Sequence, residues 1–295
     1  MDVGTFIQSL WGGVLEAGLI AMVAVGLYLV LGVARVLNFA HGHILVLGGF
    51  CTWGFRETYN LNFWIAAFLG VLIMGIAGMV LERFPFRRFY GNFIPIICVG
   101  IALIYLFEGG VVQLWGPETK TVGTVISGTS GVKGWFIMRN WDWLVIGAGL
   151  GCLMGSGLFL AKTRIGRAMR ATAVDPDTAN LQGIGALGMA RYAMFIGCAL
   201  AAVGGGLMAP KYGVSIGVGL AWMIKGMLAI IIGGLGSFYG CLFACLMLGM
   251  AVSFSITYIN AQAGYIVMFL LLVVVIMVRP WGLFGKQLTV GIPGE

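Results

Sequence analysis

Apolar residues fill most of the chain in runs of about 20 residues, the length that an α-helix needs to cross a lipid bilayer. Short polar segments separate the runs. The pattern predicts an all-α polytopic membrane protein with about eight transmembrane helices. The predicted spans are Val14–Ala34, Val36–Phe55, Phe63–Leu81, Phe93–Trp115, Trp143–Ala161, Tyr192–Pro210, Phe238–Ile259 and Ala263–Val278. A shorter apolar segment, Trp222–Ile232, is predicted either to cross or to be re-entrant.

The longest polar interruption of the second half is KTRIGRAMRATAVDPDTANLQG, within a loop predicted over residues 162–191. Its first part carries three arginines at spacings of three residues, which predicts a basic helical strip. Asp175 can cap a second short helix, Pro176 suits the first helical position and Asp177 favours the positive end of the helix dipole. Gly183 predicts the end of that helix. The loop is either a solvated loop that contacts lipid headgroups or a docking element for a cytoplasmic partner.

A few polar side chains lie within or beside the apolar runs. Asn38, His41 and His43 precede the apolar part of the second span and mark either a pathway or a hydrogen-bonded helix link. Lys225 either extends to an interface or faces an internal cavity. Glu16 and Glu108 lie near predicted span ends, where water is close, although a role in a proton relay is an alternative.

Glycines are concentrated in two regions of the apolar sequence. Those of the fifth span predict a close helix-packing face, and those after the short segment predict a chain break with small-residue packing. The packing candidates are Gly151, Gly155, Gly233, Gly234, Gly236 and Gly240. The second cluster lacks the Lys-Ser/Thr ending of a phosphate-binding P-loop, so no nucleotide site is predicted.

Composition supports a membrane domain and excludes most other classes. Apolar residues make up 60% of the chain and charged residues 9%, against about a quarter in soluble proteins. The net charge of +7 is assigned to loops on the cytoplasmic side, not to nucleic-acid binding. The four basic loops are at Arg35, Glu82–Asn92, residues 162–191 and Arg279–Lys286. This arrangement predicts one domain over residues 1–295, with a retained interfacial segment at residues 1–13 and the C-terminus inside.

The remaining chemistry is sparse. The six cysteines lie in apolar runs and are predicted to act as small hydrophobic residues. Cys241 and Cys245 are one helical turn apart, but no acidic residue or histidine lies near them in the sequence, so no metal site is predicted. No catalytic constellation is found.

Five motifs, in order along the chain, resemble the inner-membrane permease subunits of ABC importers for branched-chain amino acids, the LivH-like family. They are LNFAHG at Leu37–Gly42, Glu82-Arg83 with Phe86-Arg87, the stretch Thr163–Gly183, Lys225 with Gly233–Gly240, and RPWGLFG at Arg279–Gly285. His43 stands where the family commonly has an acidic or small residue, and Arg88 replaces a usual proline.

The resemblance implies a permease subunit of the bacterial inner membrane with no ATPase site of its own. The implied partners are a second homologous permease subunit, two cytoplasmic ATPases that use ATP and Mg²⁺, a periplasmic solute-binding protein and membrane lipids. The chain itself is expected to bind no cofactor. Pathway or gate positions are predicted at Asn38, Phe39, His41 and Lys225. ATPase coupling is predicted at Arg164, Gly166, Arg167, Arg170, Asp175, Pro176, Asp177 and Gly183.

The transported solute stays open at this point. Branched-chain or other hydrophobic amino acids are implied by the resemblance, and amides, urea-like solutes and aromatic acids are alternatives within such importers. A different class, an ion-coupled secondary transporter, would need paired intramembrane acids and an inverted repeat, and no convincing halves are found.

Overall fold

The computed structural model describes residues 3–123, 125–132 and 135–285. This part of the chain is almost entirely helical, which confirms the predicted all-α membrane fold. The helices are α1 Val3–Leu29, α2 His41–Tyr59, α3 Phe63–Leu81, α4 Phe93–Trp115, α5 Asn140–Lys162, α6 Arg164–Val174, α7 Pro176–Leu181, α8 Ala186–Tyr212, α9 Val218–Gly233, α10 Phe238–Tyr258 and α11 Ala261–Val278. π-Helical turns at Val30–Ala34 and Glu82–Phe86 extend α1 and α3, and a 3₁₀ turn follows at Arg87–Phe89.

Among the described residues, seven helices are long and apolar enough to span a membrane. They correspond to the predicted spans except Val36–Phe55. That segment forms α2, which begins only at His41 and ends at Tyr59. At 19 residues it is long enough to cross, but polar residues such as His43, Arg56 and Glu57 make it less apolar than the other seven. Helix α1 begins already at Val3, so the segment before Val14 is helical from there, and its interfacial position stays a prediction.

The connecting segments form two opposite ends of the helix bundle. At the basic end, Arg35 Nη2 donates to Val174 O at 3.3 Å and Arg191 lies 3.6 Å from Glu82. The other end, here the hairpin end, carries the antiparallel strands β1 (Thr129–Val132) and β2 (Phe136–Arg139). The four predicted cytoplasmic loops all contribute to the basic end in the described residues.

Helix α9 resolves the alternatives for the short apolar segment. It follows Val214, which forms a β-bridge with Lys120 at the hairpin end, and it ends at Gly233, whose carbonyl accepts from Phe284 N at the basic end. At 16 residues α9 is about 24 Å long. It therefore joins the two ends, as the predicted alternation of the chain requires.

Of the four glycines predicted to pack after the short apolar segment, three pack closely and one does not. Gly233 and Gly240 pack together, since a Cβ on Gly240 would lie 2.2 Å from Gly233 O. Gly234 lies against Gly285. Gly236 contacts no described neighbour at its Cβ position but has φ +92°, so it serves the turn before α10 and does not pack.

The packing prediction is wrong for Gly151 and Gly155 within this chain. No described atom lies within 4 Å of a Cβ on either residue, because the α5 face that they occupy points away from the bundle. The packed face of α5 instead presents Gly149 to Gly18 of α1.

Gly240→Leu should lower the stability of the purified chain, because the added side chain would meet the Gly233 backbone. Overpacking of this kind costs about 1–3 kcal/mol, more when backbone must move. Thermal unfolding in detergent measures the effect. Gly155→Leu is the matched control and should leave the unfolding temperature unchanged or slightly raised, since leucine favours helix over glycine. Equal loss in both variants would contradict the assigned packing faces.

Candidate functional site

A cavity of about 260 Å³ lies between α1, α8, α9, α10 and α11, near the hairpin end. Its wall is mostly apolar, with two charged side chains and two tyrosines. The lining residues are Glu16, Met208, Tyr212, Gly213, Ser215, Val218, Trp222, Lys225, Val252, Ile256, Ala261, Gly264, Tyr265 and Met268. A concave apolar surface with a few convergent polar groups is the usual form of a small-molecule site.

Lys225 and Glu16 form an ion pair inside this cavity. The Nζ atom of Lys225 donates to Glu16 Oε1 at 2.5 Å and lies 4.3 Å from the centre of the Trp222 ring. Each charged side chain is 12% exposed. The expectation that Glu16 lies near a helix end in water is therefore wrong, because α1 starts at Val3 and places Glu16 within the bundle. The cavity alternative for Lys225 is the one observed.

The predicted pathway residues of the LNFAHG motif lie elsewhere. Asn38 and His41 are fully buried and do not line the cavity, and Phe39 packs beside Gly100 of α4. Asn38 Oδ1 accepts from Ala40 N at 3.0 Å, so its side chain holds the turn that starts α2. Their role in a pathway stays a prediction.

The second intramembrane acid also has a basic partner. Glu108 of α4 lies 3.0 Å from Nε2 of His43 at the start of α2. His43 is buried, whereas the Glu108 side chain is 32% exposed. This contact joins α4 to the bundle, to which it is otherwise attached by few neighbours.

The polar loop of the second half forms two helices at the basic end. Thr163 caps α6 by accepting from Gly166 N at 2.9 Å, and a Cβ on Gly166 would lie 2.2 Å from Phe159 O. Only glycine therefore permits this tight turn from α5 into α6. The arginines of the predicted strip, Arg164, Arg167 and Arg170, are all exposed.

The predicted cap of the second helix is observed. Asp175 Oδ1 accepts from the backbone N of Asp177 at 3.0 Å and of Thr178 at 3.3 Å. The Thr178 hydroxyl and these backbone donors lower the pKa of the Asp175 carboxyl. Pro176 occupies the first turn of α7, and Gly183, at φ +79°, follows its end. The α6–α7 segment is thus an ordered projection with its own caps.

Two polar contacts fix this projection to the membrane helices. Arg35, directly after α1, donates to the last carbonyl of α6, where a cation suits the helix dipole. Asn180 Oδ1 accepts from Ala186 N at 2.9 Å and so joins α7 to the start of α8. Arg35 was predicted only as part of a basic loop, since nothing in the sequence indicates its partner.

A buried carboxylate holds the loop between α3 and α4. Glu82 is fully buried and accepts hydrogen bonds from Arg87, two of them at 2.9 Å, and from Tyr90 at 3.1 Å. Burial, and then the Glu82 charge, raise the pKa of Tyr90, which keeps its phenol a neutral donor. Arg191 of α8 also lies near Glu82, with its Nε 3.6 Å from Oε2.

The sequence missed part of the cavity. Trp222 precedes Lys225 by three residues, a helical spacing that could have indicated a shared face. Tyr212, Tyr265 and Glu16 come from other helices, and no local pattern connects them. Across the described residues, no group of three potential metal ligands is found.

Comparison with known proteins shows the family of this chain. The family model "Branched-chain amino acid transport system / permease component" matches residues 9–276. The chain belongs to this family. The LivH-like resemblance is thereby confirmed, and the chain is a multi-pass permease of the bacterial inner membrane.

Curated permease relatives match nearly the whole chain. The high-affinity branched-chain amino acid transport system permease protein BraD of Pseudomonas aeruginosa is 29% identical, over 97% of both chains. The LivH permease of Escherichia coli K12 is 27% identical, over 95% of this chain and 96% of its own. A probable LivH permease of Methanocaldococcus jannaschii is 24% identical, over 93% and 91%.

A solved structure shows the same fold. A chain of PsaBC from Streptococcus pneumoniae in complex with Fab superposes with a TM-score of 0.51 over 91% of both chains, at 12% sequence identity. At this identity the likeness concerns the fold alone.

The single substitution Lys225→Met should destabilise the permease, because it leaves the Glu16 carboxylate buried without a partner. Breaking a buried pair in this way costs about 3–5 kcal/mol. The double variant Glu16→Gln/Lys225→Met should recover most of the lost thermal stability, since neither charge remains. Thermal unfolding in detergent checks both variants. A double variant no more stable than the single one would contradict the pairing.

Proposed function

We propose that this permease is the membrane-spanning subunit of an ATP-driven importer for branched-chain or other hydrophobic amino acids. Two cytoplasmic ATPases, a periplasmic solute-binding protein and a second homologous permease subunit complete the assembly. The chain contributes no chemistry on the solute and no ATPase site. The observation that carries this proposal is the capped α6–α7 projection at the basic end of a branched-chain permease.

The shape of the projection supports docking to a cytoplasmic protein. Val174 and Leu181 are apolar, yet their exposed fractions are 83% and 88%. Val174 ends α6 and Leu181 ends α7, while Asp175 caps α7 and Asp177 lies in its first turn. Helix α6 also carries the three exposed arginines. Exposed apolar residues with a polar rim are typical of a protein interface. A loop that only fixed the orientation of the chain in the membrane would not need two ordered, capped helices.

The attachment of the projection supports coupling to the membrane domain. Arg35 joins α6 to the end of α1, and Asn180 joins α7 to the start of α8. Movement of the projection by an ATPase would therefore act on two helices that are packed in the core. Such a segment can bias the bundle between outward and inward arrangements.

An ion-coupled secondary transporter is less consistent with the intramembrane acids. Coupling to protons or sodium ions uses acids that bind the ion. Here Glu16 is paired with Lys225, and Glu108 with His43. Amides, urea-like solutes and aromatic acids remain alternative cargoes of the same importer type, and a screen of uptake with the partner subunits present would separate them.

Reversing the charges of Arg167 and Arg170 (Arg167→Glu/Arg170→Glu) should abolish most solute-dependent uptake by the assembled transporter. The variant should still reach the membrane, because both side chains are exposed at the basic end and hold no part of the core. Uptake of labelled amino acid, together with co-purification of the ATPase, measures the effect.

The matched control reverses Arg83 and Arg88, which are also exposed at the basic end but lie outside the projection. This variant should keep more than half of the uptake. Normal uptake in the Arg167/Arg170 variant, or equal loss in both, would contradict a coupling role for the projection.

Asp175→Ala should weaken ATPase co-purification, because the first backbone N–H groups of α7 lose their acceptor. Asp175→Asn is the matched control and should retain it, since asparagine caps helices about as well as aspartate. The capping contribution is present above the usual carboxyl pKa of about 3.9 and is lost as the pH falls through the lowered pKa of the folded state. Co-purification should therefore be constant from about pH 6 to 8. Identical behaviour of the alanine and asparagine variants would exclude the cap from docking.

A further inference from the structure

We propose that the Glu16–Lys225 pair binds both charged groups of a zwitterionic α-amino acid. In the occupied cavity the α-carboxylate accepts from Lys225 Nζ and the α-ammonium donates to Glu16, so the solute is inserted between two side chains that pair with each other when it is absent. This inference rests on the proposed function and specifies the solute class that the permease itself accepts.

The charge balance of the cavity selects for a zwitterion. Charges within a membrane domain are costly unless each has a counter-ion. A zwitterion brings one carboxylate and one ammonium, so both Lys225 and Glu16 stay paired after the exchange. A neutral amide brings neither charge, and a carboxylic acid without an amine leaves Glu16 unpaired. The pair therefore distinguishes amino acids from the other cargoes.

The rest of the cavity suits an aliphatic or aromatic side chain. Helices α10 and α11 contribute Val252, Ile256, Met268 and Tyr265 to the cavity wall. The volume of about 260 Å³ lies just below the range of about 300–1,000 Å³ that is usual for ligand pockets. A single amino acid is the appropriate size, and a charged side chain would find no charged partner among the described lining residues of α10 and α11.

Trp222 provides a direct readout of this exchange. Lys225 Nζ lies 4.3 Å from its ring centre, close enough for a cation–π contact. When the α-carboxylate of the solute binds Lys225, the side-chain ammonium of Lys225 must turn toward it. The fluorescence of Trp222 should therefore change on binding, whereas a purely structural ion pair would give no such signal.

The test titrates the full chain in lipid nanodiscs with L-leucine, L-leucinamide and 4-methylpentanoate. These probes share one side chain and differ in the two charged groups. L-leucine should give a saturable fluorescence change that disappears in Trp222→Phe. The concentration that gives half of the maximal change should be at least about tenfold higher for each analogue than for L-leucine. A hydrogen bond to a charged group contributes about that much to affinity.

Two double variants separate recognition from folding. Glu16→Gln/Lys225→Met should lose the leucine response while remaining folded. Asp142→Asn/Lys211→Met is the control. It removes an ion pair that joins α5 to α8 outside the cavity, with Lys211 Nζ 2.9 Å from Asp142 Oδ1, and this variant should keep the leucine response. The inference is overturned if L-leucine gives no change, if either analogue equals L-leucine, or if the Glu16/Lys225 variant still responds.

The outcome is independent of the test of the proposed function. If the leucine titration fails, the Arg167/Arg170 dependence of ATP-driven uptake is unaffected. If ATP coupling fails, the leucine titration of the isolated chain still reports whether the cavity binds a zwitterion.

Discussion

Close backbone packing around α1 is the constraint on which the rest of the structure depends. Lipid offers no hydrophobic driving force between helices, so association relies on dense contacts that small residues permit. At Gly26 a Cβ would lie 2.5 Å from Gly197 O of α8, and at Gly149 it would lie 2.9 Å from Gly18. Helices α5, α8, α9 and α10 all pack against α1, so most of its apolar residues are buried.

The burial of α1 has a direct electrostatic consequence. Glu16 is carried into the bundle by this helix, where an unpaired carboxylate would be costly. Lys225 of α9 supplies the counter-ion, and the pair is placed at the wall of a cavity. The same helix continues through its π-helical turn to Arg35, which holds the end of α6. One packed element thus connects the candidate solute cavity to the candidate coupling surface.

Local signals predicted much of this fold correctly. The Asp175 cap, the break at the glycines after the short apolar segment and the basic ends of the spans all depend on neighbouring residues in the sequence. Capping, backbone conformation and hydropathy act over a few residues, so their patterns are visible without a structure. The predictions failed where the relevant neighbour came from another helix: Gly151 and Gly155 have the right spacing for packing but face away from the bundle.

The candidate site shows the same division. The sequence by itself determined the membrane class, the grouping of the basic loops on one side, the cap of the projection and Lys225 as an isolated charge in an apolar run. Only the tertiary structure decided that Glu16 is its partner, that Trp222 and Tyr265 share its cavity and that Asn38 is buried away from it. Residues 16 and 225 are brought together by helix packing, and packing depends on which faces meet, a property that no local spacing encodes.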